Sequence, residues 1–330
     1  MDIPRAPRRI LVIKPSSLGD VVHGLAFLAA IRRCYPDAEI DWVIARGIDG
    51  LLEGHPMISK LWVIDKDRWK RPLSLGSTIA ELRALHSGMR ERNYDIAVDL
   101  QGLFRSGLIA WLSGSKVRVG IEGSREGSGM FYTHIAPADP ALHAVDRCLA
   151  AARYIGCADG PVEFPVLSSP YPLPDGDYAV IVPGARWQTK RWAPERFGEL
   201  ASMLPIRSYV VGSSEDTWLA DKVVGHSGGH AESLAGKTNL KQLATVLKGA
   251  RFVITNDTGT MHIAAGLGVP VVAIFGPTDP AKTGPYGPIH TVLYGDLQCS
   301  PCRKKHHCPG AACMNTITVD DVRAALAGRL

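Results

Sequence analysis

Small polar residues in the second half of the chain are of the types that bind phosphate groups. Residues 255–262 read Thr-Asn-Asp-Thr-Gly-Thr-Met-His and precede a glycine- and alanine-rich helical pattern. A helix N-terminus attracts anions because its first N–H groups are unbonded and its dipole is positive there. We expect Thr258 and Thr260 to add hydroxyl donors and His262 to donate to a phosphate, although a lone helical histidine is more often simply packed. Asp257 has a plainer interpretation as the helix N-cap.

A second loop adds positive charge for the same kind of ligand. Residues 183–192 read Pro-Gly-Ala-Arg-Trp-Gln-Thr-Lys-Arg-Trp, between a strand pattern and a helix pattern. Ligands of open α/β sheets gather at the carboxyl ends of strands, so Lys190 and Arg191 are placed to neutralise a phosphate. The alternative is a solvated basic loop whose tryptophans pack on the domain.

A carboxylate near the start of the chain is a candidate general base. Residues 14–20 read Lys-Pro-Ser-Ser-Leu-Gly-Asp and match neither a Walker A motif nor GxGxxG. Gly19 permits a tight turn or a close backbone approach, and Ser17 or Asp20 can cap the following helix. At the carboxyl edge of a sheet, Asp20 could instead deprotonate a substrate. The loop alone leaves both interpretations of Asp20 open.

Cations recur in the loops of the first half of the chain. Each alone is best interpreted as a solvated surface charge. Together they suit an acceptor that carries phosphate or carboxylate groups. The candidate acceptor-binding residues are Arg68, Lys70, Arg71, Arg105, Arg125, and His143 and Arg147 on one helical face.

Four cysteines form a weak candidate for a structural metal site. Their spacing is C-x2-C-x5-C-x4-C, at Cys299, Cys302, Cys308 and Cys313. Tetrahedral Zn²⁺ would staple a loop that has no core of its own. The second pair departs from C-x2-C, so reduced packing cysteines are the favoured interpretation. Without a neighbouring Asp or Glu cluster, no catalytic metal is predicted.

Alternating strand and helix patterns must position these loops. Strand patterns cover residues 9–14, 39–45, 61–65, 95–100, 178–182, 208–212, 252–255 and 269–275. Helix patterns cover residues 20–33, 78–92, 194–204, 215–224, 239–248 and 260–267. Such alternation predicts parallel sheets. The proline-rich residues 161–176 predict a linker. We therefore expect two similarly built α/β domains, 1–165 and 166–330, that face a central cleft.

Composition restricts the class of protein further. With 46% hydrophobic and 21% charged residues, a chain of 330 residues predicts two packed domains. A net charge of +5 is too dilute for a nucleic-acid binder. No apolar run approaches the ~18 residues of a membrane span, and no secretory h-region is present. Seven cysteines, an odd number, argue against a disulfide framework. We expect a cytoplasmic protein.

Taken in order, the loops resemble the bacterial lipopolysaccharide heptosyltransferases, glycosyltransferase family 9. The resemblance spans nearly the whole chain. The matching segments are KPSSLGD at 14–20, DLQGLFRS at 99–106, SRE at 124–126, FY at 131–132, LHAVDR at 142–147, KRW at 190–192, NDTGTMH at 256–262 and GPTDP at 276–280. The likeness is closer to heptosyltransferase I, whereas the cysteine segment is more similar to heptosyltransferase II.

The resemblance implies a fold and an inverting reaction. The fold is GT-B, in which the first Rossmann-like domain binds the acceptor and the second binds the nucleotide-sugar. The reaction moves L-glycero-D-manno-heptose from ADP-heptose to the 3-deoxy-octulosonate (Kdo) or inner core of lipopolysaccharide. Asp20 takes the position of the general base, and Lys190 that of the cation that neutralises the diphosphate. Arg125, His143 and Arg147 match acceptor-side positions.

The donor-binding residues form a larger set. The residues expected from this resemblance to bind the donor are Ser17, Gly19, Arg186, Lys190, Glu215, Thr238, Asp257, Thr258, Gly259, Thr260 and His262. The chain departs from heptosyltransferase I at Ala185 and Arg186, where that enzyme has two consecutive threonines. Arg186 therefore replaces a hydroxyl contact with a charge.

The expected partners follow from this reaction. They are the nucleotide-sugar, a lipid A–Kdo or inner-core acceptor and the cytoplasmic face of the inner membrane, on which the enzyme would be peripheral. No cofactor is required, since one base and a stabilised leaving group suffice, while Mg²⁺ assistance stays open. Three alternatives also stay open: a GT-B transferase or epimerase for another nucleotide-sugar, the acceptor specificity of heptosyltransferase II, and a non-catalytic two-domain binding protein.

Overall fold

The computed structural model describes residues 2–70, 75–174, 176–303, 308 and 311–329. It divides into two compact units, Met1–Pro165 and Val166–Leu330. Each unit contains one six-stranded sheet, and every strand pairing in both sheets is parallel. Within the described ranges, no helix combines the length and the apolar character needed to cross a membrane.

The first unit has the strand order β3-β2-β1-β4-β5-β6. Its strands are β1 (Arg9–Ile13), β2 (Glu39–Ala45), β3 (Lys60–Ile64), β4 (Ile96–Asp99), β5 (Val117–Ile121) and β6 (His134–Ala136). Its helices are α1 (Leu18–Cys34), α2 (Leu75–Glu91), α3 (Phe104–Leu112) and α4 (Ala144–Tyr154). The central strand β1 is apolar from Ile10 to Ile13 and fully buried there, because helices cover both faces of a parallel sheet.

The second unit repeats the arrangement with the order β12-β11-β10-β7-β8-β9. Its strands are β7 (Tyr178–Val182), β8 (Arg207–Val210), β9 (Ala231–Ser233), β10 (Phe252–Asn256), β11 (Val271–Phe275) and β12 (Thr291–Tyr294). Its helices are α5 (Pro194–Ser202), α6 (Thr217–Gly225), α7 (Leu240–Lys248), α8 (Gly259–Gly266), α9 (Pro280–Thr283), α10 (Ala312–Asn315) and α11 (Val319–Ala325). Trp192 and Phe197 pack edge to face in its core, with ring centroids 4.8 Å apart.

Both sheets reverse their strand order beside the first strand. In the first unit the reversal lies between β1 and β4, and in the second between β7 and β10. Loops that leave neighbouring strands toward opposite faces open a crevice at the carboxyl edge, which is where ligands bind in such sheets. Asp20 follows β1, Lys190 follows β7 and Asp257 follows β10. The topology therefore places all three residues at reversal points.

The predicted α/β class and alternation are confirmed. The strand predictions at 39–45 and 178–182 agree with the structure to the residue, and the other predicted elements shift by one to three residues at their ends. The described residues of the predicted linker, 161–174 and 176, contain neither helix nor strand. The sequence patterns did not reveal the helices α3, α9, α10 and α11 or the short strands β5, β6, β9 and β12.

Candidate active site

Asp20 is held in a fixed orientation at the start of α1. Through Oδ2 its carboxylate accepts hydrogen bonds from the backbone N–H of Ser17 at 2.8 Å and from the Ser17 hydroxyl at 2.7 Å. Ser17 is the N-cap, so Asp20 is the third-residue partner of the cap rather than the cap itself. The Asp20 side chain is 37% exposed. It is thus both structurally anchored and accessible to a substrate.

Lys14 links the loop after β1 to the loop after β4. Its ammonium Nζ lies 3.8 Å from Oδ1 of Asp20 and donates a 2.7 Å hydrogen bond to the carbonyl of Leu100. The Lys14 side chain is only 9% exposed. Lys14 thus places a mostly buried positive charge beside the candidate base. Lys14 belongs to the quoted 14–20 motif, but the sequence alone assigned it no role.

His23 lies one turn of α1 beyond Asp20, and its ring meets that of His143, which precedes α4. The His23 and His143 rings contact edge to face with centroids 5.5 Å apart. His143 precedes α4 and caps it, since its Nδ1 accepts from the N–H of Val145 at 3.2 Å. His143 therefore lies at the helix end, one turn before Arg147, whose backbone N–H donates to the His143 carbonyl at 3.1 Å. Arg147 lies within α4 and donates to the carbonyl of Glu122 at 2.5 Å.

A fully buried carboxylate braces the loop after β4. Asp99 accepts from the Tyr132 hydroxyl at 2.7 Å and from the N–H groups of Gln101 and Gly102 at 2.8 and 3.2 Å. Burial raises the pKa of Asp99, and these hydrogen bonds act against that rise. Asp99 and Tyr132 both lie in the quoted motifs without an assigned role. The sequence did offer a signal for Asp99, because an aspartate ends a buried strand there.

The predicted acceptor cations have different surroundings. Arg68 forms an exposed ion pair with Asp65 at 3.5 Å, and Arg105 donates to the carbonyl of Lys66 at 3.0 Å. Arg125 is exposed, and its backbone N–H bonds the Gly102 carbonyl at 2.8 Å, which joins the loops after β4 and β5. The Lys70 side chain and the whole of Arg71 lie outside the described residues.

Lys190 and Asp257 form an ion pair in the second unit. Nζ of Lys190 donates to Oδ2 of Asp257 at 2.5 Å and lies 4.5 Å from the centre of the Trp187 ring. The Thr278 hydroxyl donates to the same oxygen at 2.6 Å. The two charged side chains are 17% and 8% exposed. Thr278 was not predicted as a site residue, although its position in the turn after β11 was a usable signal.

The capping interpretation of Asp257 is wrong. The N-cap of α8 is Thr258, in extended backbone conformation, and the Asp257 carboxylate pairs with Lys190 instead. The Thr258 side chain makes no capping hydrogen bond. The helix therefore begins with the N–H groups of Gly259 and Thr260, which can donate hydrogen bonds to a phosphate. His262 is buried one turn further, as the packed interpretation expects.

Asn256 fixes the cationic loop onto the sheet. Its Nδ2 donates to the carbonyl of Pro183 at 2.8 Å, and its Oδ1 accepts from the N–H of Trp192 at 3.0 Å. One buried amide thus holds both ends of the loop that carries Lys190. Arg191, the second predicted cation, turns toward its own loop and donates to the Ala185 carbonyl at 2.8 Å.

The remaining donor-binding predictions lie on neighbouring loops. Arg186 and Glu215 are exposed after β7 and β8, and Thr238 is half-buried after β9. The loops after β7 and β8 pack closely. A Cβ atom on Gly184 would lie only 2.9 Å from the Asp216 carboxylate. Ser17 and Gly19 belong to the first unit, unlike the other predicted donor residues.

The structure lends no support, in the residues that it describes, to the metal site weighed from the spacing of the four cysteines. Within the described ranges, no group of three or more His, Cys, Asp or Glu side chains is arranged to hold a metal ion. Cys299 is exposed, Cys302 and Cys308 are half-buried, and Cys313 is buried. Burial raises the pKa of the Cys313 thiol. His306 and His307 lie outside the described residues.

Comparison with known proteins identifies the class. The model of glycosyltransferase family 9 (heptosyltransferase) matches residues 82–311. Lipopolysaccharide heptosyltransferase 1 of Pseudomonas aeruginosa is 31% identical over 313 residues, which cover 90% of this chain and 86% of that protein. The structure of Escherichia coli heptosyltransferase WaaC with ADP is similar at a TM-score of 0.81 and 26% identity, covering 98% of this chain and 100% of that one.

A second solved structure contains a sugar-bearing ligand. Escherichia coli heptosyltransferase WaaC with ADP-2-deoxy-2-fluoro heptose has a TM-score of 0.80 and 25% identity, again covering 98% of this chain and 100% of that one. The chain therefore belongs to glycosyltransferase family 9. It is a glycosyltransferase with two Rossmann-like units, and the predicted GT-B fold class is confirmed.

Proposed function

We propose that this glycosyltransferase moves L-glycero-D-manno-heptose from ADP-heptose to the Kdo of the lipopolysaccharide inner core, with inversion at the anomeric carbon. The observation that carries the proposal is the Lys190–Asp257 pair at the start of α8. It lies in a chain that is similar over nearly its whole length to a heptosyltransferase solved with ADP and with an ADP-heptose analogue.

The second unit binds the diphosphate in this proposal. The Lys190 ammonium and the first N–H groups of α8 supply positive charge. Asp257, which also accepts from the Thr278 hydroxyl, holds that ammonium in place. As the bond from the anomeric carbon to the phosphate oxygen breaks, negative charge grows on the departing ADP. Donors that are already oriented stabilise this charge without reorganisation, which lowers the barrier. The step as proposed draws its positive charge from these groups and uses no metal ion.

The first unit supplies the base. An acceptor hydroxyl attacks the anomeric carbon on the face opposite to ADP, and its proton passes to the Asp20 carboxylate. The new carbon–oxygen bond replaces the bond to phosphate in a single displacement, so the configuration inverts. Ser17 anchors the Asp20 carboxylate through Oδ2, which holds the base in one orientation for this step.

The acceptor we propose is anionic and lipid-anchored. Its carboxylate and phosphate groups match guanidinium forks, and Arg105, Arg125 and Arg147 offer these within one unit. The similarity to lipopolysaccharide heptosyltransferase 1 proteins supports lipopolysaccharide as the acceptor, and Kdo is the acceptor sugar of this proposal. An acceptor that stays embedded in a leaflet requires an enzyme that works at the membrane surface, on its cytoplasmic face.

A nucleotide-sugar panel tests the donor half of the proposal. Thermal unfolding is followed with ADP-heptose, ADP, UDP-glucose and GDP-mannose at equal concentrations. ADP-heptose and ADP should raise the midpoint, since a ligand that binds only the folded state stabilises it. Stabilisation by UDP-glucose or GDP-mannose alone would refute ADP-heptose as donor and favour the alternative GT-B transferase or epimerase.

A further inference from the structure

Three exposed apolar side chains lie on two neighbouring helices of the first unit. Phe104 is 42% exposed, Trp111 53% and Met130 76%. Phe104 and Trp111 are seven residues apart on α3 and therefore share one helix face. Met130 lies on the 3₁₀ helix Ser128–Phe131, and the Phe131 ring contacts that of Phe104 edge to face at 5.2 Å. We call Phe104, Trp111 and Met130 the apolar ridge.

The apolar ridge stands on closely packed backbone. At Gly107, in the middle of α3, a Cβ atom would lie 2.7 Å from the Phe131 ring and 3.1 Å from the Ser128 carbonyl oxygen. The two helices therefore approach as closely as a glycine allows. Single exposed apolar side chains need no explanation, but here two share one face of α3 and the third stands on the 3₁₀ helix packed against α3. Exposed apolar side chains grouped on adjoining elements are typical of an interaction surface.

Positive charge flanks the apolar ridge. Arg105 lies on α3, and Arg125 lies in the loop before the 3₁₀ helix Ser128–Phe131. Both arginines are exposed. Residues 102–131 contain four Arg or Lys residues against two Glu. One of these acids, Glu126, accepts from the N–H of Phe104 at 3.3 Å, so it is partly engaged at the start of α3. Aromatic and methionine side chains beside guanidinium groups complement an anionic bilayer surface, not a neutral one.

The apolar ridge begins at the same sheet edge as the proposed base. The loop that leads from β4 into α3 is bonded to Lys14 through the Leu100 carbonyl, and Lys14 lies beside Asp20. An acceptor whose acyl chains remain in a leaflet can present its sugar only a short distance above that leaflet. The surface that meets the membrane must therefore lie close to the base.

We propose that the apolar ridge, with Arg105 and Arg125, docks this enzyme onto the anionic bilayer that holds its acceptor. The inference rests on the proposed function, because a lipid-anchored acceptor is what makes such docking necessary. Phe104, Trp111 and Met130 enter the interfacial layer, and the two guanidinium groups contact lipid phosphates.

Flotation with vesicles of phosphatidylethanolamine and phosphatidylglycerol tests the docking. The double variant Trp111→Ser/Met130→Ser should bind these vesicles at least about tenfold more weakly than the wild type, because two interfacial side chains are lost. Trp218→Ser is the matched control, since Trp218 on α6 is 52% exposed, nearly the same as Trp111. This control should float like the wild type. Unchanged binding by the double variant, or an equal loss in the control, would overturn the proposal.

Two further measurements separate docking from chemistry. With the acceptor embedded in the same vesicles, kcat/KM should fall in the double variant, whereas with a deacylated, water-soluble acceptor it should not change. If sedimentation instead shows that the double variant dissociates a dimer while vesicle binding persists, the occupant is a second copy and the docking proposal is wrong. A wild type that floats through the apolar ridge but transfers no heptose to the soluble acceptor would refute the proposed function and leave docking intact.

Discussion

At the residue scale, the Lys190–Asp257 pair keeps a cation positioned in the crevice of the second sheet. The ammonium is mostly buried, so its charge is balanced by a carboxylate that is buried even further and held by Thr278. Pairs of this kind add little to the free energy of unfolding, but removal of one partner commonly costs about 3–5 kcal/mol because the other charge remains buried. Such a pair is better explained by binding than by stability.

Lys190→Ala should weaken ADP binding by at least about tenfold, the usual worth of a charge-assisted hydrogen bond. Titration calorimetry with ADP measures this. Lys222→Ala is the control, since that lysine is 51% exposed in an ion pair with Glu195 on the surface of the same unit. Lys190→Ala/Asp257→Asn should recover stability without recovering ADP affinity. Unaltered ADP affinity in Lys190→Ala would make this lysine a structural residue.

Tyr132→Phe should make the stability of the first unit more sensitive to pH. The Tyr132 hydroxyl opposes the rise that burial causes in the pKa of Asp99, so its loss lets that pKa rise further. A carboxyl whose pKa is raised in the folded state contributes stability at low pH and loses it as the pH rises through that pKa. The loss in free energy of unfolding, about 1–3 kcal/mol, should therefore be larger at pH 8 than at pH 5.

Urea denaturation at the two pH values measures the effect of Tyr132→Phe. Tyr154→Phe serves as the control, since Tyr154 is not among the groups that act on Asp99. An equal loss at pH 5 and pH 8 would contradict an ionising Asp99 as the cause.

The residue scale also shows where sequence reasoning ends. The sequence indicated Lys190 and Asp257 as separate loop residues, because each follows a strand and has a suitable type. It could not show that they pair, since 67 positions separate them and the contact exists only after β7 and β10 lie side by side. For the same reason Asp257 was interpreted as a cap, from its neighbours alone.

At the element scale, long buried strands and amphipathic helices were predictable, whereas short edge elements were not. The strand β2 has seven residues and is apolar from Trp42 to Ala45, which the local pattern reveals. In contrast, β6 reads His-Ile-Ala and β9 reads Ala-Glu-Ser, with three residues each. Their extended form is fixed by pairing with β5 and β8 rather than by local preference.

Gly107→Ala tests the close approach of α3 and the 3₁₀ helix Ser128–Phe131. Alanine favours helix by about 1 kcal/mol over glycine, but here its methyl group would meet the Phe131 ring and the Ser128 carbonyl. Overpacking should win and lower the free energy of unfolding by about 1–3 kcal/mol. Gly129→Ala is the control, because a Cβ there meets no atom within 4 Å. A stabilised Gly107→Ala protein in thermal unfolding would contradict the close packing.

At the scale of the whole molecule, one topology is used twice with different side chains. The first sheet carries a carboxylate at its reversal point, and the second carries an ammonium beside a helix N-terminus. The division into two α/β halves was predictable because the strand–helix alternation restarts after the proline-rich stretch. Which substrate each unit binds stays a prediction that only measurements on substrates can test.

Raised salt should increase the KM for the acceptor more than that for ADP-heptose. Exposed guanidinium contacts weaken because the Debye length is only ~8 Å at physiological ionic strength, whereas Lys190 is mostly buried. Arg125→Ala/Arg147→Ala removes two guanidinium groups that are proposed to bind the acceptor. This double variant should raise the acceptor KM and leave ADP affinity unchanged. Arg207→Ala/Arg251→Ala, which removes two exposed cations of the second unit, is the control. Normal acceptor kinetics in the first double variant would make its arginines ordinary surface charges.

A transfer assay with ADP-heptose and a Kdo-bearing lipid A acceptor, run on the wild type and on Asp20→Asn, tests the proposed reaction most directly. The wild type should release ADP and add one heptose with inverted anomeric configuration, seen by mass spectrometry and NMR. Asp20→Asn should keep its fold and its ADP affinity while kcat falls at least ~10²-fold, the usual worth of a positioned base. Near wild-type turnover in a folded Asp20→Asn protein, or no transfer from ADP-heptose by the wild type, would contradict the reaction proposed.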